Sequence, residues 1–434
     1  MTVRQAVVVI HGIGEQRPLD TLRGFVKALA GEKQFRNKPD AMSRLFELRR
    51  LQVPGDRHTP LTDFYEYYWA YRMRDTRVNM VWRWLRSLLL RKPRRIPRPL
   101  LPIYVLSWLL VIIAGLTVAM GGLQAPTPGP LAALVGSLFV GYATAFLYTY
   151  VGDAARYLDP HPDNIEQRNK IREEGIALLH SLHESKKYSR IIVVGHSLGS
   201  VIGYDLIRLY WSSVKPPAPE TPSQIDTLRG FSEACDGIFH DETISEGEKV
   251  ERYHQLQFRL WQELREKDMW PWLITDFITM GSPLTHARLL LARSDEDFDA
   301  RKADGELVTC PPDLRPASTW YSRQYKTALG LRNADTPTHM VPFACTRWTN
   351  LFFPYRWVIL GDMIGGPLGG NFGSGIRDIP VALKGLAGTL ASHVCYWIDP
   401  NRKGPPSGGK HPTQALKTAL RLDCLHRGVR LPPP

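Results

Sequence analysis

The chain has 434 residues, of which 44% are hydrophobic and 22% charged, with 55 Lys plus Arg against 42 Asp plus Glu. This composition excludes a disordered chain, a collagen-like repeat and a disulfide scaffold, and the length fits several average domains or one large α/β domain with insertions. A net charge of +13 admits nucleic acid or an anionic membrane as partner, and only the placement of the charge decides between them.

Residues 6–10, AVVVI, are too short for the core of a secretory signal and read as a buried strand. They run into His11-Gly12-Ile13-Gly14. A glycine turn at the end of an apolar strand is where an acyl-transfer enzyme needs a backbone N–H for an oxyanion. Ile13 is the expected donor, Gly12 and Gly14 supply the turn, and His11 is read as positioning the loop, not as a base. A helix is expected over residues 19–29, and extended segments around 46–53 and 62–70.

The charge is lopsided. Residues 72–98 hold ten basic residues and the single acid Asp75, so this block carries +9 of the total and leaves +4 to the rest. Trp82, Trp84 and residues 88–90 interleave with the arginines as in an interfacial helix. Residues 100–122 are uncharged and, as a helix, would extend roughly 33 Å, enough to cross a bilayer core. A short link, QAPTPG, leads to a second uncharged run at 130–151, richer in Gly, Ala, Ser and Thr, as where membrane helices pack together. Two such runs predict a transmembrane hairpin, with Tyr104 and Trp108 nearer the headgroups. The arginine-rich flank places both ends of it, and both chain termini, on the cytoplasmic side. Basic residues contiguous with a span, and not spread over a face, argue against nucleic acid.

Beyond the hairpin, residues 164–184 form an amphipathic helix whose apolar side includes Ile165, Ile171, Ile176, Leu178, Leu179 and Leu182. A strand at 191–194 leads into Gly195-His196-Ser197-Leu198-Gly199 and a helix over 201–211. Small residues on both sides of Ser197 allow the sharp strand-to-helix turn that holds a nucleophile out at the edge of a sheet, with the next amide, that of Leu198, aimed at the reacting oxygen. Residues 215–269 open with four prolines and read as a helical insertion or cap. Strands are expected at 273–280 and 340–346, long loops at 284–338 and 365–375, a polar loop at 402–411 and a last helix over 413–426. The alternation of strand and helix predicts an α/β fold with a mostly parallel sheet. Five widely spaced cysteines, Cys235, Cys310, Cys345, Cys395 and Cys424, fit reduced thiols in a cytoplasmic compartment.

HGIGEQ after a strand, GHSLGSVIGYD after a strand, MGSPL at 280–284, W-x-N at 348–350 followed by an Asp, and S-H-x-x-Y-W at 392–397 together resemble the α/β-hydrolase superfamily, closest to its lipase and intracellular phospholipase-like branches. The resemblance implies one hydrolase domain in pieces: 1–71 with the oxyanion turn, 72–99 the basic interfacial segment, 100–151 the hairpin, 152–214 the nucleophile turn, 215–269 the insertion, and 270–434 with acid and base. Many members have two strands before the HG turn and this chain has one, so the sheet is expected to be shorter or differently edged.

The superfamily's chain order of Ser, acid, His selects among three late histidines. His393 follows an apolar stretch and is the expected base, whereas His411 and His426 read as solvated. For the acid, Asp362 has apolar and glycine neighbours, Asp378 stands beside Arg377 as if in a surface ion pair, and Asp276 lies inside a strand as a satisfied buried group. Asp362 is preferred. The expectation is a membrane-anchored serine esterase acting through Ser197, His393 and Asp362 on phospholipids or other lipids, with no metal or organic cofactor. Membrane lipid would be both anchor and substrate; protein partners and oligomeric state are not read from the sequence. The alternatives are hydrolysis of a soluble ester or thioester and a catalytically silent scaffold at the membrane.

Overall fold

The computed structural model describes residues 4–13, 17–31, 35–43, 45, 47–55, 59–73, 78–102, 104, 105, 107–109, 112, 152–159, 161–214, 222–266, 272–312, 320–327, 330–337, 339, 341–356, 360–385, 390–397 and 409–422. At its centre is an eight-stranded sheet in the order β10-β9-β6-β5-β1-β4-β3-β2. Its strands are β1 (Arg4–Ile10), β2 (Arg36–Pro39), β3 (Arg49–Val53), β4 (Leu61–Tyr67), β5 (Arg190–His196), β6 (Ile274–Met280), β9 (Arg347–Phe352) and β10 (Arg377–Pro380). Pairing is parallel from β10 through β4 and antiparallel only at β4/β3 and β3/β2. The sheet is therefore not shorter for having one strand before the glycine turn. That side is filled by β4, β3 and β2, which follow β1 in the chain.

Every residue of β5 and β6 is buried, as in a parallel sheet covered on both faces. Alternation sorts the side chains. Ala6, Val8, Ile10, Ile191 and Val193 face one core, while Val7, Val9, Ile192 and Val194 face the other. The first core is closed by α4 (Pro162–Glu184), α5 (Leu198–Ser213) and α7 (Glu246–Glu266), through Ile171, Leu178, Leu182, Ile202, Tyr253 and Trp261. The second is closed by α1 (Asp20–Ala30) and α11 (Pro412–Ala419), through Leu22, Phe25, Val26 and Leu416. Ile165, placed on the apolar side of its helix by spacing, is instead 42% exposed.

Several expectations change. Helix α7 buries Tyr253, Phe258, Leu260, Trp261 and Leu264 in the core, so this part of 215–269 belongs to the body of the domain. It is preceded by α6 (Pro222–His240). The strand expected at 340–346 begins later. Residues Pro342–Ala344 form a 3-10 turn, because a proline without an N–H cannot join the ladder, and β9 starts at Arg347. The stretch read as loop at 284–338 contains α8 (Ala287–Leu290), α9 (Asp295–Ala303) and an antiparallel hairpin of β7 (Trp320–Thr327) and β8 (Gly330–Pro337). In the glycine-rich stretch, α10 (Gly369–Phe372) makes one helical turn. Cys235, Cys310, Cys345 and Cys395 are buried free thiols, and Cys424 lies outside the described residues.

Between β4 and β5, ahead of α4, stand α2 (Val78–Leu89), in the basic segment, and α3 (Gly152–Leu158). Most of the expected hairpin, and all of 113–151, lies outside the described residues. Among the described residues no helix is long and apolar enough to cross a membrane.

Candidate active site

The parallel strands β1, β5, β6 and β9 all end at one edge of the sheet, the edge at which α/β proteins place their ligands. Ile10 pairs with Gly195, so the loops after β1 and β5 emerge side by side. Ser197 sits between β5 and α5 with φ 52° and ψ −128°, a conformation that costs a residue with a Cβ about 1–3 kcal/mol. Its amide donates to the Met280 carbonyl at 3.0 Å, and Ser200 Oγ donates to the Ser197 carbonyl at 2.6 Å. Gly195 and Gly199 have no room for a side chain. A Cβ on the first would lie 2.5 Å from Ser200 Cα, and one on the second 2.5 Å from the His11 carbonyl oxygen. Glycine is thus needed at 195 for the chain to fold back on Ser200, and at 199 for the turn to pass against the end of β1 and its loop.

His393 lies on the 3-10 turn Leu390–Val394. Its Nε2 is 2.9 Å from Ser197 Oγ, and its Nδ1 is 2.9 Å from Asp362 Oδ2. Asp362 is 1% exposed and receives further bonds from the Tyr396 hydroxyl (2.8 Å, on Oδ2) and the Ile364 amide (2.9 Å, on Oδ1). Burial alone would raise its carboxyl. The charge and hydrogen bond of His393, with bonds from Gly365 and Tyr396, overcome this and hold it at about 2. An ionised Asp362 can only accept, so Nδ1 of His393 carries the proton and Nε2 is left to accept from Ser197.

Two more histidines flank the serine, and both are kept neutral by burial. His11, lowered to about 4, stacks on Trp69 at 5.1 Å, bonds the Gly12 carbonyl through Nδ1 (2.8 Å) and accepts the Trp69 amide at Nε2 (3.4 Å). It fixes the loop after β1 and makes no contact of a base. His196, lowered to about 3, first by burial and then by the nearby His393, donates from Nε2 to the His393 carbonyl at 2.7 Å.

Gly12 passes directly over the serine: a Cβ there would sit 2.9 Å from Ser197 Cβ and 3.0 Å from His196 Nδ1. Ile13 follows it, packed partly against the first core. Leu198 opens α5, so its amide has no carbonyl one turn earlier, and the Ser197 side chain does not cap the helix. These are the positions expected to hold an oxyanion. Gly14 lies outside the described residues.

Two expectations for single residues, those for Asp378 and His411, are corrected. Asp378 is not in a surface pair with Arg377, which bonds Glu251. Its carboxylate accepts from Asn350 Nδ2 at 2.7 Å and from the Leu368 and Gly369 amides at 3.0 and 2.9 Å, so it ties the W-x-N strand to the start of α10. His411 is buried, not solvated, because its Nδ1 accepts the Thr413 amide at the start of α11. His426 lies outside the described residues. Asp276 is a satisfied buried acid, bonded to Arg347 at 2.7 Å and Thr275 at 2.7 Å.

Three supporting residues escaped the sequence reading although they stand inside the quoted motifs: His196, Tyr396 and Gly281. Gly281, with φ +56°, follows β6, and a Cβ there would lie 2.8 Å from the Tyr396 ring, 2.9 Å from Asp362 Oδ2 and 3.0 Å from His393 Nδ1. Asp362, His393 and Tyr396 therefore close on a backbone with no side chain. Comparison with family models, with curated proteins and with solved structures finds no match to this chain.

Proposed function

We propose that the chain is a serine hydrolase of the α/β-hydrolase type, held at a membrane by residues 100–151, that cleaves carboxylic esters of phospholipids or other lipids. The observation that carries the reading is the relay from Ser197 through His393 to a buried, ionised Asp362, with both links at 2.9 Å. Residues that fill three roles in that order, at the C-terminal edge of a parallel sheet, meet the geometric requirements of acyl transfer.

Ser197 Oγ attacks the ester carbonyl while its proton passes to His393 Nε2. The tetrahedral oxyanion is met by the amides of Leu198 and Ile13, the sort of donors whose removal costs a hydrolase about 10²–10³ in rate. Collapse of the intermediate breaks the bond to the alkoxide, which takes the proton from His393, and an acyl-enzyme remains. Water repeats the sequence and restores Ser197. Asp362 fixes the tautomer of His393 and stabilises the imidazolium, and Tyr396 keeps Asp362 in place.

The membrane part rests on the two uncharged runs and the arginine-rich flank, and the flank supports a cytoplasmic side for the catalytic domain and both ends of the chain. Tethering concentrates an enzyme at a lipid substrate. A fluorophosphonate probe should label the wild type, and the wild type should hydrolyse a short ester until the probe blocks it. Labelling that persists in Ser197→Ala would overturn the assignment of the nucleophile.

A further inference from the structure

Nine large apolar side chains are exposed among the described residues, and eight of them fall in two groups. Leu360, Ile364 and Val394, at 38, 37 and 65%, bracket the proposed acid and base, since they stand two residues either side of Asp362 and directly after His393. Leu90 lies on the basic segment that leads into the first uncharged run, and Leu101, Val105, Leu109 and Ile112 follow at helical spacing in the first half of that run. The ninth, Ile165, is two residues from Asp163, which pairs with Arg83 of α2.

Hydrogen bonds join the two groups. Arg91, between Leu90 and Leu101, donates to the Arg293 and Ala292 carbonyls at 2.6 and 2.9 Å. The other end of that segment is tied to the acid loop: His286 Nε2 bonds the Met363 carbonyl at 2.9 Å and Thr285 Oγ1 donates to the Pro367 carbonyl at 3.1 Å. Only α8 and its flanks separate the two ties, a helical stretch of about 9 Å. Either side of Leu90 and up to Leu101 in the chain, Arg86, Lys92, Arg94, Arg95 and Arg98 are exposed, and none forms an ion pair among the described residues.

We infer that the mouth of the triad and the basic segment form one surface that rests on an anionic phospholipid leaflet, so that the site takes its acyl substrate from the bilayer that holds the chain. The inference rests on the proposed membrane attachment and ester chemistry. Apolar groups enter the boundary between headgroups and acyl chains, while cations stay at headgroup level, and each lysine or arginine near an anionic surface adds to the attraction.

The test uses the full chain reconstituted in vesicles of phosphatidylcholine and phosphatidylserine, with an environment-sensitive nitrobenzoxadiazole label on Val394→Cys, on Ile364→Cys and, as reference, on the exposed Asn37→Cys of β2. The expected result is at least twofold quenching at 394 and 364 by lipids carrying a nitroxide on the acyl chain, with little quenching by iodide, and the reverse at 37. Omission of phosphatidylserine should reduce the lipid quenching at 394 at least twofold. Iodide access at 394 and 364 equal to that at 37 would overturn the inference, and so would quenching indifferent to phosphatidylserine. Fluorophosphonate labelling of Ser197 in the same vesicles separates the two ideas: labelling with an iodide-accessible position 394 sinks only the inference. Loss of labelling in the otherwise unmodified chain sinks the enzyme reading, and failure of the chain to float with vesicles sinks the membrane attachment.

Discussion

Gly281→Ala perturbs Asp362 and His393 without replacing either. The added methyl would stand 2.9 Å from Asp362 Oδ2 and 3.0 Å from His393 Nδ1, and 2.8 Å from the Tyr396 ring. Ordinary contact for such atoms begins near 3.4 Å, so each must give by about half an ångström. The 2.9 Å bond between His393 and Asp362 lies in the path of that movement, and Asp362 cannot retreat easily because Tyr396 and the Ile364 amide hold it. A misplacement of 1 Å costs an enzyme on the order of 10²-fold, so half that distance should lower kcat about tenfold, with KM little changed. The left-handed backbone adds about 1–2 kcal/mol of folding cost for alanine. Hydrolysis of a short p-nitrophenyl ester, referred to the fraction of fluorophosphonate-reactive enzyme, measures the first effect and thermal unfolding the second. Gly230→Ala is the control: it lies in α6 with nothing within 4 Å of its added carbon. Wild-type kcat in Gly281→Ala, with the protein folded, would refute the assignment of Asp362 and His393 as a working pair.

Three further outcomes follow from named contacts. Gly12→Ala pushes the loop after β1 off Ser197 and should slow both ester turnover and fluorophosphonate labelling by about 10²-fold, the cost of an oxyanion donor; equal labelling rates would exclude that loop from the site. Tyr396→Phe removes the 2.8 Å bond to Asp362 and leaves the Phe353 amide without its 3.3 Å acceptor, so a loss of about 1–3 kcal/mol in denaturant unfolding is expected together with a lower kcat. Glu66 is 1% exposed, and burial raises its carboxyl to about 7 despite the bond it accepts from the Leu19 amide. A raised carboxyl binds its proton more tightly in the folded state, so its favourable contribution is complete below about pH 4.5 and is lost as pH rises through about 7. At 1.36 kcal/mol per pH unit the loss approaches about 3 kcal/mol. The stability of Glu66→Gln relative to wild type should therefore climb between pH 5 and 8, and a flat difference would refute the argument.

The serine turn was legible because it depends on local rules: an apolar strand, glycines flanking a strained residue, and a helix that begins at once. Asp362 was legible for a related reason, since glycine and apolar neighbours mark a chain folded tightly around a buried group. Asp378 and His411 were misread because their partners are neutral amides, the Asn350 side chain and loop backbone for the one and the Thr413 backbone for the other, which no charge pattern records. His196 bonds a carbonyl 197 residues away, a contact that only the fold brings about. The proline of the 342–344 turn carried its own signal, and the apolar residues around it masked that signal.

The pairing of β1 bears on how the chain is made. One neighbour, β4, follows within 57 residues, whereas side-chain bonds to the other, β5, cross 185 residues. At about 5–20 residues per second, synthesis of that interval takes roughly 10–40 s. For that time the AVVVI strand has an open edge, the condition under which strands capture the wrong partner. The two uncharged runs are synthesised within the same interval. If the proposed chemistry holds, Ser197 then waits for residues 362 and 393 before it has its acid and its base, and a nascent chain that ends short of them would be chemically inert.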